Sequence, residues 1–131
     1  MELKSYQQRV IDDLTSFLGY LEQGDSIRES FQNYWDDRGA TKMEGYKNNV
    51  PGVPHVCVKV PTAGGKTFLA ANALKPILDV VTPESSGQPR VVIWLVPSLT
   101  ILEQTARNFA DPASLPPTAE HPLQGPCGTV R

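Results

Sequence analysis

The sequence has little of several features that mark specialised classes of protein. Two cysteines, Cys57 and Cys127, are too few for a disulfide framework. Aromatic residues make up only 8% of the chain. No segment approaches the roughly 20 consecutive apolar residues of a membrane-spanning helix, and the first residues lack the apolar segment of a signal peptide. A length of 131 residues fits one domain. We therefore expect a cytoplasmic protein without a membrane contact.

A strong excess of charge of either sign is also missing. The chain has 12 basic and 14 acidic residues, a formal net charge of −2 with both histidines neutral. Residues 1–50 contain six basic and nine acidic groups, and residues 51–131 contain six basic and five acidic groups. Because neither half is a basic patch, a nucleic acid would be bound through the shape of a groove and a few specific side-chain contacts, not through overall charge.

Apolar residues recur at helical spacing in the first part of the chain. Leu3, Tyr6, Val10 and Leu14 begin a stripe with intervals of three and four, which predicts an amphipathic helix over residues 3–22. A weaker pattern that contains Ile27, Phe31 and Trp35 predicts a second helix, which ends before Gly39.

The middle of the chain alternates between strand-like and helix-like segments. Residues 55–60 are short, β-branched and bounded by prolines, and residues 91–96 are continuously apolar, so both are predicted strands. Residues 66–80 and 99–109 are predicted helices, with Pro76 ending or kinking the first. The order predicts an α/β fold with a right-handed parallel βαβ unit preceded by N-terminal helices.

The end of the chain differs in composition. Residues 111–131 contain five prolines and show no periodicity. We expect residues 1–110 to form the folded part and residues 111–131 to form an irregular or disordered tail.

Residues 60–67 have the sequence Val-Pro-Thr-Ala-Gly-Gly-Lys-Thr, which is typical of a phosphate-binding loop between a strand and a helix. Gly64 and Gly65 allow the backbone N–H groups to approach phosphate oxygens. Lys66 supplies a cation at a helix N-terminus, and the Thr67 hydroxyl can ligate Mg²⁺. The motif predicts a nucleoside triphosphate site. The alternative is a glycine turn with a solvated lysine.

Three segments carry a resemblance to one family. Residues 60–67 resemble motif I of superfamily 2 helicases. Residues 3–7, Leu-Lys-Ser-Tyr-Gln, resemble the element upstream of that motif, and residues 95–104, Leu-Val-Pro-Ser-Leu-Thr-Ile-Leu-Glu-Gln, resemble motif Ia of the Res subunit of type III restriction enzymes and its DEAD/DEAH-type relatives. The resemblance covers about residues 3–109, in the family's order and spacing.

The resemblance implies a fold, a ligand and a set of site residues. The fold would be the first part of a RecA-like P-loop NTPase domain that binds ATP and Mg²⁺, in a parent enzyme that binds and unwinds DNA. A methylation or specificity subunit is a candidate partner. The implied nucleotide-binding residues are Gln7, Thr62, Ala63, Gly64, Gly65, Lys66 and Thr67, with Thr67 also at the metal. The implied nucleic-acid contacts are Pro97, Ser98 and Thr100.

Two of these assignments have structural alternatives. The resemblance implies that Gln7 forms hydrogen bonds with the edge of the adenine base. Gln7 could equally be a polar residue at the border of its helix. Ser98 follows a predicted strand, where a hydroxyl can contact a nucleic-acid phosphate or cap the next helix.

The sequence also departs from the family pattern. Val60 stands where the general motif has glycine, Ala63 where glycine is common, and Leu99 where many relatives have arginine. Alanine is tolerable at position 63 because it is small. No carboxylate after Thr67 follows an apolar strand as the family's acidic motif would, and a second RecA-like domain is missing.

We therefore expect the nucleotide-binding N-terminal portion of a helicase, from a truncated or partial gene, without independent turnover. The alternative is a non-catalytic module that folds against a partner chain.

Overall fold

The computed structural model describes residues 2–61 and 63–110, and this part contains four α-helices. Their bounds are α1 Ser5–Gln23, α2 Ile27–Asp36, α3 Lys66–Val81 and α4 Leu99–Ala110, with a short 3₁₀ helix at Glu84–Ser86. The four helices predicted from apolar spacing are confirmed, within a few residues at each end. None of the described helices is both long and apolar enough to cross a membrane.

Local hydrogen bonds set the limits of the first two helices. The backbone N–H of Lys4 donates to Oε1 of Gln7 over 2.9 Å at the start of α1. At its end, the N–H of Gly24 donates to the carbonyl of Tyr20. Ser26 caps α2 by accepting the N–H of Glu29 at Oγ. The tight connection between Gly24 and Ser26 folds α2 back onto α1.

Helix α1 lies at the centre of the packing, because it contacts both α2 and α3. Leu14 and Leu18 of α1 and Ala73 of α3 form a buried apolar cluster. Partly buried side chains surround this cluster, namely Ile11, Leu21, Ile77 and Val80. The apolar stripe of α1 therefore serves as the common core of the three helices.

Aromatic side chains join α1 to α2. Phe17 and Tyr34 meet edge to face with ring centroids 5.4 Å apart. The guanidinium of Arg38 lies 3.6 Å from the ring centroid of Tyr34 and donates to Oγ of Ser16 on α1. Burial raises the pKa of Tyr34 above its ordinary value.

The predicted α/β fold is wrong for the described residues, since residues 2–61 and 63–110 contain no strand or sheet. Residues 55–60 and 91–96 do not pair with each other, so neither the parallel βαβ unit nor a RecA-like sheet is formed. The predicted burial of the second segment also fails, because Ile93 is 79% exposed and Leu95 is 88% exposed. A β-branched or apolar run favours extended backbone, but a strand requires a hydrogen-bonded neighbour.

Residues 55–59 instead lie alongside the first two helices. The backbone N–H of His55 donates to the hydroxyl of Tyr46. Residues of this segment and of α1 and α2 line an open, largely apolar pocket of about 330 Å³. The segment therefore lies at the rim of this pocket with its side chains exposed, rather than in the middle of a sheet.

Helix α3 continues through Pro76 to Val81 and ends in an ion-pair cluster. Asp79 accepts from Lys75 over 2.7 Å and from Arg90 over 3.1 Å, and Nε of Arg90 also donates to the carbonyl of Thr82. The Lys75 hydrogen bond, with further help from both positive charges, lowers the pKa of Asp79.

Replacement of Leu18, which is 4% exposed, tests the three-helix core. We expect Leu18→Ala to lower the free energy of unfolding by about 2–4 kcal/mol, because it leaves a cavity among buried side chains. Leu95→Ala, at a site that is 88% exposed, should change it by less than about 0.5 kcal/mol. Urea unfolding followed by circular dichroism measures both, and equal losses would contradict this core.

The Asp79 cluster predicts a pH dependence of stability. A carboxyl whose folded-state pKa is lowered stabilises the fold above its ordinary pKa of 3.8, and that contribution is lost as the pH falls through the lowered value. We therefore expect Asp79→Asn to reduce the thermal midpoint at pH 7 and the difference from the original protein to shrink toward pH 3. Asp25→Asn, at an exposed carboxylate between α1 and α2, is the control. A pH-independent difference for Asp79→Asn would contradict the assignment.

Candidate nucleotide-binding site

The glycine loop, of which the structure describes residues 60, 61 and 63–65, leads directly into α3, and one carbonyl group accepts two hydrogen bonds in it. The oxygen of Pro61 accepts the backbone N–H of Gly64 over 3.0 Å. It also accepts the side-chain ammonium of Lys66 over 3.1 Å. The side chain of Lys66 therefore reaches back across the loop instead of extending away along α3.

The backbone of the loop has an alternating conformation. Ala63 has φ +61° and Gly65 has φ +66°, whereas Gly64 between them is outside the positive-φ region. Such alternation is the geometry of an anion-binding nest. The N–H of Gly64 is already bonded to Pro61, so the N–H of Gly65 is the loop donor that has no hydrogen-bond partner among the described residues. The first N–H groups of α3 follow immediately, and they have no partner within the helix. The loop and the helix N-terminus together form a surface of backbone donors.

Helix α1 holds the glycine loop through a single acceptor. The carbonyl oxygen of Gly64 accepts the Tyr6 hydroxyl over 2.7 Å and Nε2 of Gln7 over 3.1 Å. Gln7 is 4% exposed, and its Oε1 is bound by the N–H of Lys4. Two residues on the first helix are thus bonded to a residue more than fifty positions later.

A side chain at either glycine would be too close to a neighbouring atom. A Cβ on Gly65 would lie 2.7 Å from Nε2 of Gln7. A Cβ on Gly64 would lie 2.6 Å from Cγ1 of Val60 and 2.9 Å from the oxygen of Pro61. Gly65 therefore allows α1 to contact the loop, and Gly64 allows the loop to fold closely upon itself.

The donor set fits a phosphate chain. Lys66 is exposed and cationic, and its present acceptor is a neutral carbonyl, whereas a phosphate oxygen forms a stronger, charge-assisted hydrogen bond. Thr67 follows as the second residue of α3 and is half-buried, a position from which its hydroxyl could ligate Mg²⁺. Thr62, the remaining predicted loop residue, lies outside the described residues.

Gln7 is oriented by the protein itself. Its amide already uses one N–H on Gly64 and one oxygen lone pair on Lys4, which leaves one N–H and one lone pair for a ligand. Contact with adenine stays a prediction. The structural role of Gln7 is visible: its buried amide accepts the N–H of Lys4 at the start of α1 and joins α1 to the glycine loop.

The predicted nucleic-acid contacts lie elsewhere. Pro97, Ser98 and Thr100 are exposed at the start of α4, and no hydrogen bond among the described residues links them to the glycine loop. Oγ of Ser98 accepts the N–H of Ile101 over 3.4 Å, so Ser98 caps α4.

The described carboxylates after the loop take part in surface ion pairs. Asp79 and Glu84 bind Arg90, and Glu103 binds Arg107. Within residues 2–61 and 63–110, no group of three or more His, Cys, Asp or Glu residues could hold a metal ion. The described site therefore offers donors for phosphate but no acidic cluster.

Two contributors were missed from the sequence. Tyr6 was recognised only as part of a motif, although its hydroxyl makes the shorter bond to Gly64. The carbonyl of Pro61 is the second contributor, since it accepts both the N–H of Gly64 and the ammonium of Lys66. The position of Tyr6 next to Gln7 was the only signal for the first, and a backbone carbonyl has no signal in the sequence.

Substitution of Gly65 separates backbone strain from contact with α1. Gly65→Ala and Gly87→Ala both place alanine at nearly the same positive φ, +66° and +63°, but a Cβ at Gly87 meets no atom within 4 Å. Both changes should lower the free energy of unfolding by about 1–2 kcal/mol through the left-handed conformation. Gly65→Ala should cost about 1 kcal/mol more, because it displaces Gln7 from its hydrogen bond. Urea unfolding measures the two losses, and equal values would contradict the contact.

Comparison with known proteins identifies the family of the chain. The family model described as type III restriction enzyme, res subunit, matches residues 1–122. Comparisons with curated proteins and with solved structures gave no match. The matched region includes Tyr6 and Gln7, the glycine loop and α4. Since the match covers most of the sequence, the chain belongs to the type III restriction enzyme res subunit family, a family within helicase superfamily 2.

Proposed function

We propose that this chain binds ATP with Mg²⁺ through the glycine loop and α3, as the nucleotide-binding portion of a DNA helicase or translocase. The observation that carries the proposal is the arrangement at the start of α3. Gly65 is in the left-handed conformation immediately before the helix, and Lys66 folds back over the loop to Pro61. The cation of Lys66, the N–H of Gly65 and the N-terminus of α3 are thus consecutive in the chain, and such a donor set suits a triphosphate better than a base or a sugar.

Ligand binding requires only a local exchange at Lys66. Its ammonium would leave the carbonyl of Pro61 for a phosphate oxygen, while the N–H of Gly64 continues to hold that carbonyl over 3.0 Å. The turn therefore keeps its shape when Lys66 changes partner. Lys66 stabilises negative charge on the phosphate chain by a charge-assisted bond.

Thr67 is the proposed protein ligand of Mg²⁺. Mg²⁺ keeps several water molecules and is held by few protein groups together with phosphate oxygens, so one hydroxyl beside the loop is a reasonable contribution. The ion, when bound, neutralises charge on the phosphates. The residues of the chain orient the triphosphate. The described carboxylates that follow the loop, Asp79, Glu84 and Glu103, are held in ion pairs with arginines.

DNA is the proposed macromolecular substrate of the parent enzyme, because the family implies an interaction with DNA. Ser98 and Thr100 are exposed at the start of α4 and provide neutral hydroxyl donors for backbone phosphates. A chain with a net charge of −2 lacks a general electrostatic attraction for DNA. Individual hydrogen bonds to the phosphates would therefore determine binding. A methylation or specificity subunit would complete a restriction assembly.

Replacement of Lys66 tests the proposed nucleotide site. We expect the protein to bind a fluorescent ATP analogue in the presence of Mg²⁺ and Lys66→Ala to weaken binding at least tenfold, since the cation at the phosphates is lost. Lys75→Ala removes the same charge from the same helix, where Lys75 pairs with Asp79, and should leave binding unchanged. Fluorescence anisotropy gives the three affinities.

The same titration separates the proposal from the alternative of a partner-dependent module. The exposed apolar run that contains Ile93 and Leu95 favours that alternative. A module without its own nucleotide site would give no saturable binding for any of the three proteins. Equal affinities for the original protein and Lys66→Ala would also overturn the proposal.

A further inference from the structure

The bond between α1 and the glycine loop controls the orientation of one peptide group. Tyr6 and Gln7 both donate to the carbonyl oxygen of Gly64. That carbonyl and the N–H of Gly65 belong to the same peptide unit, which is planar and trans, so the two groups point in opposite directions. Two donors on the α1 side therefore turn the N–H of Gly65 away from α1.

The direction of this N–H matters because it belongs to the nest that the loop offers to an anion. Glycine lies on both sides of the peptide unit, and glycine permits the φ and ψ values of either orientation. A peptide between two glycines can therefore rotate by half a turn at little steric cost. In the rotated orientation the carbonyl of Gly64 would point toward the anion and repel it.

We infer that Tyr6 is a positioning residue that fixes the Gly64–Gly65 peptide in the orientation that binds phosphate. This inference rests on the proposed function of the loop. The Tyr6 hydroxyl donates to the carbonyl over 2.7 Å and Nε2 of Gln7 over 3.1 Å, each an ordinary length for its kind of donor. Its rigid ring is carried by a helix that packs against α2 and α3, so the donor is held in place by the core.

Gln7 acts as a second donor whose orientation is also fixed. The N–H of Lys4 binds its Oε1 and so directs Nε2 toward Gly64. Together the two side chains occupy both lone pairs of the Gly64 carbonyl. The peptide cannot rotate without breaking both bonds.

The test uses inorganic tripolyphosphate with Mg²⁺, because this probe has no adenine and reports only on the phosphate site. Tyr6→Phe keeps the ring and removes the hydroxyl. We expect its affinity for tripolyphosphate, measured by calorimetry, to fall about three- to tenfold, which corresponds to one net hydrogen bond. Tyr20→Phe removes a hydroxyl from the same helix, one that binds Asp37, and should bind as the original protein does.

A second readout distinguishes positioning from general weakening of the fold. In ¹H–¹⁵N spectra, Tyr6→Phe should move the amide resonance of Gly65 while the resonances of α2 keep their positions, and Tyr20→Phe should leave Gly65 unchanged. Gln7→Met removes the other donor and should change the affinity and the Gly65 resonance in the same direction as Tyr6→Phe.

The outcomes separate the two proposals. If the original protein binds tripolyphosphate and Tyr6→Phe binds it equally well, the positioning role is overturned while the nucleotide site stands. If the original protein binds no tripolyphosphate, the proposed function fails and the positioning role fails with it.

Discussion

The carbonyl oxygen of Gly64 is the point on which the arrangement of the site depends. It receives two hydrogen bonds from α1, and these join the glycine loop to the helix at the centre of the core. Without them, the contact between the beginning of α1 and the start of α3 would depend on apolar packing alone. Apolar packing is not directional, so it would bring the two helices together without fixing the orientation of a loop peptide.

The hydrogen bond from Gln7 to Gly64 also makes the burial of Gln7 possible. An amide removed from water costs free energy unless its polar atoms find partners. Gln7 finds them in Lys4 and Gly64, and in the described residues no buried side-chain polar atom lacks a partner. The shape of the loop is therefore coupled to the start of α1, and residues that seem remote from the site in sequence contribute to its geometry.

The sequence predicted the helices well and the strands wrongly, for related physical reasons. A helix satisfies its backbone hydrogen bonds within itself, so the spacing of Leu14, Phe17 and Leu18 is enough to locate α1 and its buried face. A strand satisfies them on a neighbour that its own sequence does not specify. The apolar run that contains Ile93 and Leu95 has the composition of a buried strand, yet both side chains are exposed, because no neighbouring strand is present in the described part of the chain.

The loop was predictable as a motif but not as a conformation. The Gly-Gly-Lys-Thr pattern is enough to locate the loop in the sequence. The hydrogen bond between the loop and Tyr6 could not be inferred, because that contact depends on how α1 packs.

Ala63 shows the difference between size and conformation. Its small side chain suggested that it would be tolerated where glycine is common, but its φ of +61° is one that a residue with a Cβ adopts at a cost of about 1–2 kcal/mol. Such strain persists only where the surroundings hold it. Here the turn at Pro61 constrains one side and the bonds from α1 to Gly64 constrain the other. The packing of the core and the conformation of the loop are therefore energetically coupled, and part of the stability supplied by α1 offsets the strain at Ala63.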